Sequence, residues 1–164
     1  MSKTEKNLKD AFAGESQANR KYLAFAEKAE KEGYGQVAKL FRATAAAETV
    51  HAHSHLRALK GVGSTEDNLK EAIGGETYEF ESMYPPMIET AKEEGNAVAE
   101  RTFNFANEVE KIHANLYQKA LENMGGLPET DYYVCSVCGH TLEGEPTDKC
   151  PVCGALPKAY FKAA

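Results

Sequence analysis

No cysteine occurs before position 135, and of the six prolines only Pro85 and Pro86 precede residue 128. So long a stretch without disulfide partners and nearly without helix breakers rules out a disulfide-stapled scaffold and admits long helices. No apolar run approaches the roughly 20 residues of a membrane span. The opening residues MSKTEKNLKD are polar throughout and show no signal-peptide pattern, which predicts a cytoplasmic location. Lysine and arginine are not clustered and the net charge is −6, which excludes nucleic acid as the main partner. With 42% hydrophobic and 27% charged residues in 164, the chain has the composition of a soluble protein with one medium domain, or one domain and a small appendage.

Residues 1–127 are rich in Ala, Glu, Lys, Leu and Asn and read as helical. The remainder, 128–164, holds all four cysteines and the other four prolines. Gly125-Gly126-Leu127-Pro128 marks the boundary as a helix stop and linker. Four helices are predicted, at 4–32, 36–60, 65–94 and 96–124. Ser2-x-x-Glu5 forms a capping-box pattern at the first start, and Gly33, Gly35, Gly61, Gly63 and Gly95 lie at the breaks. Helices of similar length with short connections predict a bundle.

The two halves repeat. Asn7-Leu8-Lys9-Asp10-Ala11-Phe12-Ala13-Gly14-Glu15-Ser16 aligns with Asn68-Leu69-Lys70-Glu71-Ala72-Ile73-Gly74-Gly75-Glu76-Thr77 at an offset of 61. Glu32-Gly33 aligns with Glu94-Gly95, and Glu48-x-x-His51 with Glu110-x-x-His113, at an offset of 62. The offset changes between Glu76 and Tyr84. One residue inserted into a helix there is absorbed as a π-turn, which is predicted to turn Glu79 inward and return Tyr84 to the face of Glu76.

Glu-x-x-His sets a carboxylate and an imidazole one turn apart on a helix face. Two such motifs plus one Glu from each remaining helix form the ligand set of ferritin-like di-iron proteins. The sequence supplies Glu15, Glu48 and His51 in one half, and Glu76, Glu110 and His113 in the other. A lone Glu-x-x-His is usually a solvated pair, but duplication at matched positions points to metal. Oxygen-rich ligation suits iron or manganese better than structural zinc. Gly14 and Gly75, each before a ligand Glu, cost about 1 kcal/mol relative to Ala and suggest close helix approach. Glu79 has Ala18 at its repeat position, and is either a solvated residue or an added ligand. His53 reads as solvated, His55 as packed or supporting, and His140 has no evident role.

Cys135-x-x-Cys138-Gly139 and Cys150-x-x-Cys153-Gly154 form two matching knuckles and predict a tetrathiolate metal site. Spacing alone leaves iron and zinc open.

The run Ala13-Gly14-Glu15-Ser16-Gln17-Ala18-Asn19-Arg20-Lys21-Tyr22, the segment Gly75-Glu76-Thr77-Tyr78-Glu79 through Met83-Tyr84-Pro85, and both Glu-x-x-His motifs resemble the rubrerythrins. Tyr133 and Tyr160-Phe161 resemble the rubredoxin-like domain of that family. The resemblance implies a ferritin-like four-helix bundle (1–127) and a rubredoxin-like tetrathiolate iron domain (128–164). It implies two irons bridged by Glu48 and Glu110, with Glu15 on one and Glu76 and His113 on the other. Glu79 binds the first iron when oxidised and His51 replaces it on reduction, while Tyr22 and Tyr84 hydrogen-bond near the site. The implied activity is reduction of hydrogen peroxide to water, with electrons from rubredoxin or an NAD(P)H-dependent reductase. The implied assembly is a head-to-tail homodimer with electrons crossing between subunits, since helices about 40 Å long put roughly 20 Å between the two sites of one chain. Two other readings use the same residues. A ferritin-like iron oxidation and storage protein shares the di-iron ligands but needs no attached relay, and a zinc-bearing interaction module shares the cysteines.

Overall fold

Ser2, Ser64 and Asn96 each accept a hydrogen bond at 3.1 Å from the backbone N–H three residues ahead, of Glu5, Asp67 and Ala99. These caps satisfy orphan donors and start helices α1 (Lys3–Lys31), α3 (Thr65–Tyr78) and α5 (Ala97–Glu122). The computed structural model describes residues 1–163 and is mainly α. Helices α2 (Gly35–Ala58) and α4 (Tyr84–Glu93) complete the helical part. The hairpin turns repeat as the sequence does. Tyr34 N–H bonds Ala29 O and Asn96 N–H bonds Ala91 O, both at 2.8 Å, around Gly33 at φ 84° and Gly95 at φ 66°. A left-handed residue closing a helix this way is a Schellman stop, and glycine meets it without a Cβ penalty.

The chain divides into two compact units, Met1–Gly63 and the part beginning at Ser64. In the first, α1 packs on α2 through a seam of small residues. Ala38, Ala45 and Ala52, seven residues apart, are buried, as are Ala26, Ala29 and Asn19. Asn19 Nδ2 donates to Ala45 O at 2.7 Å and to Thr49 Oγ1 at 2.8 Å. Replacing Asn19 with Ala leaves that carbonyl with one partner fewer in a tight seam. It is expected to cost about 1–3 kcal/mol, read as a lowered thermal midpoint; an unchanged midpoint would show that water replaces the amide.

In the second unit α3 continues into a π-turn, Glu79–Met83, and then into α4. Tyr84 N–H bonds Glu79 O, five residues back, so the inserted residue is absorbed where the repeat offset changes. Pro85 and Pro86 follow in the first turn of α4, where a missing N–H leaves no bond unmade. The predicted single helix at 65–94 is thus one helical rod with a widened turn. Both α3 and α4 pack on α5.

The C-terminal segment forms a three-stranded antiparallel sheet in the order β2-β1-β3, with β1 Tyr132–Cys135, β2 Thr141–Glu143 and β3 Tyr160–Lys162. It docks on α5 within this unit. A Cβ on Gly139 would lie 3.8 Å from the buried Val109 of α5, and Lys119 of α5 pairs with Glu143 of β2.

Candidate metal centres

Each unit carries one acid–imidazole cluster, and their geometries nearly coincide. In the first, His51 Nδ1 lies 2.8 Å from Glu48 Oε2 and 3.8 Å from Glu15 Oε1. In the second, His113 Nδ1 lies 2.7 Å from Glu110 Oε2 and 3.9 Å from Glu76 Oε2. The ligand atoms of each set lie within 4.8 Å of one another. Both clusters arise from the same construction: one Glu on the first helix of a hairpin faces Glu-x-x-His on the second.

The donor chemistry fits cations. Burial and a hydrogen bond with Glu110 hold the Glu76 carboxyl above the ordinary glutamate range, and the Glu110 charge adds to the effect. Burial also raises Glu79, with a further contribution from Glu76. Carboxylates so crowded share protons until metal ions replace them. A raised carboxyl pKa means that the folded state holds more protons than the unfolded chain. Its contribution to stability is therefore full below the ordinary glutamate value and is lost as pH rises through the folded one. The metal-free protein is expected to melt higher as pH falls from about 7 towards about 5, and Glu76→Gln is expected to flatten that dependence. Parallel curves for the two proteins would contradict it.

Glu79 stands in the π-turn within electrostatic reach of Glu76 and His113. The Tyr84 phenol is pushed above its ordinary range by burial and by Glu79, Glu110 and Glu76 in turn. Both residues therefore lie within electrostatic reach of the second cluster. The Tyr22 ring packs in an aromatic group with Phe41 at 6.1 Å and Phe25 at 6.3 Å. The mid-helix glycines also differ from expectation, since a Cβ on Gly14 or Gly75 would meet nothing within 4 Å.

The four cysteines form the third cluster. Cys135 Sγ lies 3.7 Å from Cys153 Sγ, and Cys138 Sγ 3.5 Å from Cys150 Sγ. A tetrahedron with metal–sulfur bonds of about 2.3 Å has edges of about 3.8 Å, so the spacing fits one ion. Gly139 at φ 85° and Gly154 at φ 74° turn the two knuckles alike, so that the N–H of His140 reaches Cys138 and that of Ala155 reaches Cys153. Burial pushes the Cys138 thiol up. Burial acts the same way on Cys150, but hydrogen bonds from Tyr160 and from the N–H groups of Cys153 and Val152 outweigh it and bring that thiol to about 6.

Two residues given no role in the sequence, Thr141 and His140, join the clusters. His113 Nε2 lies 3.0 Å from Thr141 Oγ1, which bonds Gly139 O at 3.1 Å, one residue past Cys138. Buried His140 meets the Tyr160 ring edge-on at 5.8 Å, and its Nδ1 lies 2.7 Å from the Tyr160 hydroxyl. The tetrathiolate segment therefore touches a metal-ligand candidate of its own chain, which corrects the expected separation of the two sites. No sequence period links Thr141 to His113, so only the folded chain reveals the contact.

These clusters define a non-haem iron protein with a carboxylate–histidine centre and a tetrathiolate centre. The chain matches the rubrerythrin family model over residues 6–121 and the rubredoxin-like domain of rubrerythrin over residues 133–162. It is 40% identical to rubrerythrin-2 of Clostridium acetobutylicum, over 95% of this chain and 94% of that one. It is 38% identical to nigerythrin of Nitratidesulfovibrio vulgaris, over 98% and 86%. A mixed-valence nigerythrin structure matches with a TM-score of 0.60 at 35% identity, over 99% of this chain and 88% of that one. The chain belongs to the rubrerythrin family, oxidoreductases with a di-iron centre and a one-iron rubredoxin-like centre. Among the described residues no helix is long and apolar enough to cross a membrane.

Proposed function

We propose that the chain reduces hydrogen peroxide to water at a di-iron centre held by Glu15, Glu48, His51, Glu76, Glu79, Glu110 and His113. Cys135, Cys138, Cys150 and Cys153 would hold the relay iron that refills it. When bound, two ferrous ions supply the two electrons that cleave the O–O bond and act as a Lewis acid toward the oxygen that develops charge.

The chain's own residues do the rest. Two protons must accompany the two electrons to form two waters. Tyr84, beside Glu79, Glu110 and Glu76, keeps its phenolic proton at neutral pH because burial and carboxylate charge oppose ionisation. In this reading its Oη–H would donate to a peroxide oxygen. Glu79 sits in the widened turn, where exchange between anionic Glu79 and neutral His51 would match ligand charge to iron charge. His113 presents Nδ1 to the carboxylates and Nε2 to Thr141, which fixes its ring orientation.

The observation that carries this reading is the chain His113–Thr141–Gly139, which joins a ligand of one centre to the knuckle of the other. A storage protein has no use for that junction. Electrons would enter from rubredoxin or an NAD(P)H-dependent reductase, in the cytoplasm. The direct test mixes such a reductase and its nucleotide with iron-loaded protein and follows peroxide loss. Peroxide-dependent nucleotide oxidation is expected, and oxidation equal to that of metal-free protein would refute the reading.

A further inference from the structure

We propose that the Tyr160 hydroxyl, braced by the buried His140 ring, donates a hydrogen bond to the Cys150 sulfur and so raises the reduction potential of the tetrathiolate iron. Tyr160 and His140 are then positioning residues of the relay, since both act through a ligand. This rests on the one-iron centre and needs no peroxide chemistry.

Backbone groups supply most of the donors at this site. The N–H of His140 reaches Cys138, that of Ala155 reaches Cys153, and those of Cys153 and Val152 reach Cys150. These come from the knuckle turns themselves, whatever side chains the turns carry. Tyr160 adds a side-chain O–H from outside the knuckles, directed at Cys150. Strand β3 sets Tyr160 opposite Cys135. Ser136 clamps the residue before it, donating to Ala159 O from its N–H at 3.0 Å and from its Oγ at 2.7 Å. The main chain at Tyr160 is thus held on the first knuckle while its hydroxyl reaches the second.

The hydroxyl has one proton and two neighbours. His140 Nδ1 lies 2.7 Å away, and the two rings meet edge-on at 90°. A metal-bound thiolate can only accept, and the burial of Cys150 denies it a water donor. Burial and the nearby His113 hold His140 below the ordinary histidine range, so its ring is neutral and carries one N–H. With that proton on Nδ1, His140 donates to Tyr160 Oη and the phenolic proton is directed at sulfur. The His140 carbonyl accepts from Cys135 N–H at 2.9 Å, so the residue that orients Tyr160 is itself tied into the first knuckle. Reduction of the centre adds one electron and no proton, and negative charge on the sulfurs grows. A hydrogen bond to sulfur strengthens with that charge and favours the reduced form, and a donor that itself accepts a hydrogen bond is the stronger for it.

Anaerobic redox titration of the full-length, iron-loaded protein tests this, with the red absorption of the ferric tetrathiolate as readout. Tyr160→Phe keeps the ring and removes the hydroxyl. It is expected to shift the equilibrium about tenfold towards the ferric form, a fall in midpoint of about 59 mV for a one-electron couple. His140→Phe is expected to lower the midpoint by less, because Tyr160 keeps its proton but loses its brace. The double variant is expected to match Tyr160→Phe alone, since His140 acts through Tyr160. A pair that merely packs the segment would leave the midpoint where it is. An unchanged or higher midpoint in Tyr160→Phe would overturn the proposal, and a double variant whose fall is the sum of the two single falls would overturn the bracing role. If Tyr160→Phe loses its iron, a fluorotyrosine placed at position 160 decides, since it keeps the ring and the hydroxyl and makes the O–H a stronger donor. Its midpoint is expected to rise above that of the wild type, and a midpoint at or below the wild-type value would overturn the proposal.

Discussion

Replacing Cys135 and Cys150 with serine is expected to abolish reductase-driven peroxide consumption, lowering it by about 10³-fold or more, towards the uncatalysed level. Both sulfurs are buried, at 1% and 3% exposure, so neither can be replaced by a solvent ligand without opening the segment. A tetrathiolate ion contributes about 10–16 kcal/mol of folding free energy in small metal domains, far more than three short strands can supply. The segment beyond Gly126 is thus expected to lose its order along with its relay. Protein reduced chemically beforehand should still react with peroxide in a single turnover, because the carboxylate–histidine ligands lie on helices. Loss of single-turnover reactivity together with iron-free helical clusters would mean that the segment builds the di-iron site and does not merely supply it.

Replacing Thr141 with valine is the second large effect expected, and the more selective one. Valine keeps the volume and removes the hydroxyl that stands 3.0 Å from His113 Nε2. Partners of metal-bound histidines are worth about 10–100-fold in metal affinity or activity. Di-iron affinity or reductase-coupled turnover should fall by that factor, with the red colour of the tetrathiolate iron unchanged. Serine at 141 should restore most of the loss. If valine and serine behave alike, the contact is packing alone.

Much of this site was legible because helices write their geometry into the sequence. Glu48-x-x-His51 and Glu110-x-x-His113 share a face by helical period, and the 61-to-62 change in offset locates the π-turn that the structure shows at Glu79–Met83. What escaped reading has no period. His113 and Thr141 are 28 residues apart and meet only because β2 docks on α5. His140 had no assigned role because a single histidine beside a knuckle carries no pattern; its burial and its Tyr160 partner exist only in the folded chain. Gly14 and Gly75 were read as points of close helix approach, yet a Cβ at either would meet nothing within 4 Å.

Anaerobic titration of the fully reduced, iron-loaded protein with hydrogen peroxide tests the central claim most directly. The account predicts that each di-iron pair is oxidised by one equivalent of peroxide with formation of water, and that added reductase and nucleotide restore the reduced state for further rounds. Ferrous centres that persist in excess peroxide, in a protein that instead takes up surplus iron under oxygen, would contradict it.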